Sequence, residues 1–163
     1  MAVKVYWIHQ YDNGARLGIM ARPRGDDWLE EEVASLAKQQ VGVCVSLLEQ
    51  EEISELGLQK EQESCIEKGI TYINFPIADR NVPKNNTKSS ALLDRLSGAI
   101  QQGHSVVIHC RMGIGRSSII AGCLLLRAGF KTGKVIHHIT TIRGLNVPDT
   151  EEQVEWLRNR EGR

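Results

Sequence analysis

The run Ser105-Val106-Val107-Ile108-His109-Cys110-Arg111-Met112-Gly113-Ile114-Gly115-Arg116-Ser117-Ser118 decides how this chain folds. Ser105 to His109 reads as an apolar strand, and Ser117 to Ala128 as a helix apolar on almost every side, hence central and buried. Between them Cys110 ends the strand, five residues follow, and Arg116 stands where the helix begins. Gly113 and Gly115 let the backbone turn tightly and point successive N–H groups inward. The helix N-terminus adds unpaired donors and a partial positive charge. Such a cradle suits a tetrahedral dianion. Arg116 supplies a planar fork able to grip two oxygens at once, which a lysine cannot copy. Helix N-termini and adjacent cations also favour the thiolate form of a cysteine. A thiolate at Cys110 beneath a bound phosphate is placed to attack phosphorus in line. His109 is not its general base, because neighbours on a strand point to opposite faces. His109 is expected to face away and to fix the loop by hydrogen bonding.

Working outward, Val3 to Ile8 and Leu17 to Ala21 read as short strands around a turn at Asp12-Asn13-Gly14. Asp26-Asp27 opens a helix whose apolar face is Leu29, Val33, Leu36 and Ala37. Val41 to Leu48 has the near-continuous apolar pattern of a strand covered on both faces. Glu49 to Lys68 is helix-favouring with a break at Gly57, and Thr71 to Phe75 is a strand stopped by Pro76. Ile77 to Thr87 reads as a loop. Ser89 to Gln102 reads as a helix ended by Gly103. Helices at Thr132 to Ile142 and Thr150 to Arg160 close the chain. Strands alternating with helices predict an α/β fold with a central, mostly parallel sheet flanked by helices.

The 163 residues are 41% hydrophobic and 25% charged, which excludes a disordered tail, a fibre and a disulfide-dense miniprotein and predicts one domain over 1–163. Lys plus Arg equal Asp plus Glu at 20 each, so net charge argues for neither nucleic acid nor membrane as partner. No apolar run approaches the roughly 18 residues of a membrane span. Met1 to Gln10 lacks the pattern of a secretory signal. Cys44, Cys65, Cys110 and Cys123 form no Cys-x-x-Cys pair, so reduced thiols and a cytoplasmic setting are expected. The balanced total hides an asymmetry. Asp26 to Glu67 holds twelve acidic residues against Lys38 and Lys60, whereas Arg80 to Arg143 holds ten basic residues against Asp94. Solvated helix faces account for part of this; an anion site in the second half accounts for the rest.

The pattern His-Cys-x-x-Gly-x-x-Arg-Ser at 109–117 resembles the protein tyrosine phosphatases that use a cysteine nucleophile, and the chain's size resembles their dual-specificity subgroup. The resemblance runs from about Leu17 to Trp156. It implies a protein tyrosine phosphatase-like fold, Cys110 as nucleophile, Arg116 as phosphate and transition-state ligand, and Ser117 as the hydroxyl that helps the thiolate leave. The loop residues Arg111, Met112, Gly113, Ile114 and Gly115 would line the phosphate site. Departure of an alkoxide or phenoxide requires a proton. Asp79, in the loop Pro76-Ile77-Ala78-Asp79-Arg80-Asn81-Val82-Pro83, is similar in place to the family's acid loop and would also act as base toward water. Asp149 is a reserve acid or a helix cap. Gln153 looks like the family's water-orienting glutamine, with a plain surface residue as the alternative. Arg80 and Arg111 are substrate-contact candidates.

The resemblance implies hydrolysis of phosphotyrosine, and of phosphoserine or phosphothreonine, in proteins. Phosphoinositides or other small phosphate esters are the alternative. Ile114 stands where similar lipid phosphatases carry lysine, which weakens the lipid reading while Arg111 keeps it open. No tyrosine-bearing clamp is recognisable, although Tyr6, Trp7, Tyr11 or Trp28 are candidates to shape the entrance. Sulfur or arsenate chemistry and a non-catalytic phospho-binding module are the other readings. The intact set Cys110, Arg116 and Asp79 favours the enzyme. No metal or cofactor is expected, since arginine and backbone dipoles neutralise the phosphate, and a monomer is expected. A reversible disulfide from Cys110 to Cys44 or Cys65 is a further expectation to test.

Overall fold

The computed structural model describes residues 2–162. Its strands are β1 (Tyr6–Gln10), β2 (Arg16–Met20), β3 (Val41–Ser46), β4 (Thr71–Asn74) and β5 (Ser105–His109). They form one sheet in the order β1-β2-β5-β3-β4. β1 and β2 make an antiparallel hairpin, and the other pairings are parallel. The mostly parallel α/β sheet expected from the sequence is therefore present. β5 is its middle strand, so the residue that follows it, Cys110, emerges at the carboxyl edge of the sheet, where ligands of open α/β folds bind.

Helices cover both faces: α1 (Leu29–Lys38), α2 (Gln50–Glu55), α3 (Glu61–Glu67), α4 (Asn86–Gln101), α5 (Arg116–Arg127), α6 (Thr132–Arg143) and α7 (Glu151–Arg158). The two-residue alternation of a strand sorts the core into two clusters. Val106, Ile108 and Cys110 join the larger cluster with α4, α5, α6 and α7, whereas Val107 joins the smaller one with α1 and α3. α5 is buried from Arg116 through Leu126, as its all-round apolarity predicts.

Element boundaries differ from the sequence reading for local reasons. β1 begins at Tyr6, and upstream of it the backbone N–H of Val3 is taken by Ser35 Oγ at 2.9 Å. β3 stops at Ser46, two residues early. Leu47 and Leu48 remain buried as the chain turns toward α2, where a capping box between Glu49 and Glu52 starts the helix. The loop after β4 ends at Asn85, whose side chain accepts from the Lys88 N–H and caps α4.

The buried α5 sets the stability of the whole layer. Ile120→Ala on its fully covered face is expected to cost about 2–5 kcal/mol by urea denaturation. The same truncation at Ile66, which is 63% exposed, is expected to stay within about 0.5 kcal/mol.

Candidate active site

The chain from Cys110 to Arg116 wraps around a recess with its carbonyls tied outward. Arg22 N–H donates to the Arg111 carbonyl at 3.1 Å, and the Arg143 guanidinium donates to the carbonyls of Met112 and Gly113 at 3.0 Å each. Three consecutive carbonyls of the loop are thus tied down by partners outside it. Gly113 has φ +71°, and a Cβ there would come within 2.7 Å of the Met20 carbonyl. A Cβ at Gly115 would run into the Asp149 carboxylate and the Gln153 amide. Both glycines predicted for the cradle are thus required, one by backbone conformation and one by space.

Cys110 is 3% exposed, and its Sγ lies 3.3 Å from Ser117 Oγ, the hydroxyl in the first turn of α5. Arg116 opens α5 with only 2% exposure. Its Nη1 donates to Glu52 Oε1 at 2.7 Å and to the Ile77 carbonyl at 2.9 Å. Its Nη2 donates to Glu52 Oε2 at 2.9 Å and to Asp79 Oδ1 at 3.2 Å. Burial works against the Arg116 charge, but the Glu52 hydrogen bonds, with the charges of Cys110, Glu52 and Asp79, push its pKa up. Burial likewise opposes the Glu52 carboxylate. Hydrogen bonds from Arg116 and the Glu49 backbone, with the charges of Arg116 and Arg111, outweigh it and hold the carboxyl below its usual range.

Asp79 and Arg80, from the loop after β4, and Asp149, from the loop before α7, complete a recess of about 160 Å³ with Cys110, Arg111, Met112, Ile114, Gly115 and Arg116. Arg80 adopts a left-handed φ of +63° and is exposed, and Met112 is 61% exposed at the rim. None of Tyr6, Trp7, Tyr11 or Trp28 lines this recess. Tyr6 packs under Arg143, Trp7 under Arg16, Trp28 beside Arg24, and Tyr11 against His9, so the four aromatic candidates for the entrance are used elsewhere.

The remaining candidates are placed as follows. Gln153 is fully buried rather than on the surface. Its Oε1 accepts the N–H groups of Asp149 and Thr150, and its Nε2 donates to the Asn81 carbonyl, so its polar atoms are engaged in holding α7 to the loop after β4. Thr150, not Asp149, caps α7, which leaves the Asp149 carboxylate at the recess wall. The Arg111 guanidinium lies 3.1 Å from Glu55 and 3.5 Å from Glu52, an acidic pairing that competes with any substrate contact. Cys44 and Cys65 belong to the core cluster on the opposite sheet face from Cys110, so a disulfide to Cys110 is sterically closed.

His109 faces that opposite side as expected, hydrogen-bonding Glu61 at 2.7 Å and the Cys110 carbonyl at 3.2 Å. His138, one of the adjacent pair on α6, is committed to the Ile8 carbonyl at 2.6 Å. Glu52, Glu61 and Arg143 escaped the sequence reading. Only Glu52 carried a local signal, the Glu49-x-x-Glu52 spacing of a capping box. The other two act across long sequence separations.

The family described as "Polymorphic toxin system, DSP-PTPase phosphatase" matches residues 18–130, a span that contains the whole Cys110–Arg116 loop. The chain belongs to this DSP-PTPase family. Human cyclin-dependent kinase inhibitor 3 is 29% identical over 91 residues, covering 55% of this chain and 42% of that protein. The putative tyrosine phosphatase 197R of invertebrate iridescent virus 6 is 33% identical over 90 residues, 53% of this chain and 32% of its own length. The matched stretch thus spans less than half of either relative. A solved structure of kinase associated phosphatase, with serine in place of its catalytic cysteine, superposes with a TM-score of 0.87 at 20% identity, covering 98% of this chain and 94% of that one. Tk-PTP in its active form gives 0.79 at 23% identity over 98% and 97%. These two likenesses establish the DSP-PTPase fold.

Because Glu52 titrates below its reference value of 4.5, its pairing contributes stability that is complete above that pH and is lost as pH falls through the lowered folded value. Glu52→Gln is therefore expected to lower the melting temperature at neutral pH, by on the order of 3 kcal/mol of stability. Melting curves of variant and parent are expected to converge under acid.

Proposed function

We propose that this DSP-PTPase domain hydrolyses phosphate monoesters of tyrosine, and of serine or threonine, in proteins through a cysteinyl-phosphate intermediate. The observation that carries this is the convergence of Cys110, Arg116 and Asp79 on one recess closed by the tethered loop. A phosphate dianion entering it would draw the Arg116 fork from Asp79 onto two of its oxygens, while Glu52 keeps the guanidinium in plane. The Cys110 thiolate then forms a bond to phosphorus as the bond to the leaving oxygen breaks, and Asp79, protonated from solvent once it has left Arg116, supplies that oxygen's proton. In the second step water displaces the thiolate, Asp79 takes the water's proton, and Ser117 donates a hydrogen bond to the departing sulfur. Asp149 is the second carboxylate in reach. Gln153 is too committed to the α7 cap to orient that water.

The recess is small and has no aromatic wall, which supports breadth among phosphorylated side chains over selection for tyrosine alone. Arg111, drawn to Glu52 and Glu55, gives little support to a phosphoinositide. Arg80, Met112 and Ile114 are the residues proposed to meet the substrate around its phosphate. Among the described residues no helix is long and apolar enough to cross a membrane. A reducing, cytoplasmic setting and a monomeric state fit a thiolate enzyme that acts on phosphorylated proteins.

Hydrolysis of para-nitrophenyl phosphate without added metal is expected for the parent chain and absent for Cys110→Ser; turnover by the variant would mean another nucleophile. Asp79→Asn is expected to slow substrates with poor leaving groups by about 10²–10⁴-fold and good ones far less. If Asp149→Asn shows that leaving-group dependence instead, the acid is Asp149.

A further inference from the structure

Behind the phosphate loop, on the far face of the sheet, lies a group of ionisable side chains with no access to solvent. Glu61, the first residue of α3, is 1% exposed, and His109 is fully buried. Glu61 Oε2 lies 2.7 Å from His109 Nε2 and 3.7 Å from Cys44 Sγ, which donates to it. His109 Nδ1 lies 3.2 Å from the carbonyl oxygen of Cys110. A carbonyl only accepts, and so does a carboxylate. With the Cys110 carbonyl at one ring nitrogen and the Glu61 carboxylate at the other, the contacts fit a ring that carries hydrogen on both, the imidazolium.

We infer that Glu61 is a positioning residue of the phosphate loop: it holds His109 doubly protonated, so that the ring anchors the Cys110 carbonyl and presents a positive charge behind the nucleophile. Its catalytic consequence rests on the phosphatase reading above. The charge state rests on geometry and on the surrounding groups. Burial opposes the imidazolium, yet the Glu61 charge and hydrogen bond, joined by the Cys110 carbonyl, raise the His109 pKa; Arg116, across the sheet, acts the other way. From β3, Cys44 stays a neutral thiol, pushed up by Cys65, by burial and by Glu61. Tyr72, on β4, is pushed up by burial first and by Glu61 next. Glu61 thus meets the neutral thiol of Cys44 and the ring of His109. Its second oxygen, Oε1, is buried without a hydrogen-bond partner. A carboxylate retained there for packing alone would leave that acceptor uncompensated, whereas one retained to keep His109 charged needs only Oε2.

Three readouts test this in the intact chain. In the ¹⁵N spectrum the His109 ring is expected as imidazolium from pH 6 to 8 in the parent and Glu61→Asp, and as neutral imidazole in Glu61→Gln. Alkylation of Cys110 by iodoacetamide at fixed pH is expected to slow roughly tenfold in Glu61→Gln, equivalent to about 1.4 kcal/mol of lost charge stabilisation, and to recover in Glu61→Asp. Turnover is expected to fall through kcat with KM nearly unchanged. The pair's contribution to stability is complete below the reference pH of 6.5 and is lost as pH rises through the raised folded value, so the melting curves of parent and Glu61→Gln should converge in alkali. A neutral ring in the parent overturns the inference. So does a folded Glu61→Gln that alkylates and turns over at parental rates. If Glu61→Gln fails to fold, the parent's ring spectrum and the Glu61→Asp alkylation rate still decide. A parent chain that alkylates normally but hydrolyses no phosphate ester would defeat the phosphatase reading and leave this one standing.

Discussion

A guanidinium that is nearly sealed from water must be matched by charge, and the architecture around Arg116 follows from that requirement. Glu52 takes one edge of the fork with two short, parallel hydrogen bonds, which fixes the plane of the guanidinium and therefore the direction from which a phosphate is gripped. The Ile77 carbonyl and Asp79 take what remains, so the loop after β4 is drawn over the recess by the same guanidinium. The contact with Asp79 is the longest of the four and the most exposed, and it is the one a dianion would replace.

That requirement also explains the uneven distribution of charge along the chain. The acidic stretch before residue 68 is not only solvated helix surface. It sends Glu52 and Glu55 to Arg111 and Arg116, and Glu61 to His109, so acids from the first half of the chain meet bases from the second at the edge of the sheet. Arg143 is the exception, spending its donors on loop carbonyls while its plane stacks on Tyr6. Three arginines and two aspartates thus line the recess, inside a chain that is neutral overall.

The sheet divides the labour between its faces. One residue's difference in position at the end of β5 sends Cys110 toward α5 and His109 toward α3, so the Cys110 thiol opens on the recess while His109 is locked in a dry cluster. The same division keeps Cys44 and Cys65 away from Cys110.

Local pattern was enough to reveal the parallel α/β layers, the cradle from Cys110 to Arg116, the two glycines and the outward turn of His109. These depend on strand alternation, helix capping and the geometry of one loop, all short-range in sequence. The composition of the recess wall was a different matter. Asp149 and Gln153 lie four residues apart, and either was a plausible polar neighbour of the site. Which one reaches the recess depends on Thr150 taking the cap and on the Gln153 amide closing onto Asn81, 72 residues away. Glu52 and Glu61 look like ordinary members of an acidic helical run, and only packing against β5 and α5 turns them inward. Sequence determined the loop that can hold a phosphate, because its chemistry is written in consecutive residues. Tertiary structure alone decided which buried carboxylates hold its cations in place, because that depends on partners 48 and 64 residues away in the chain.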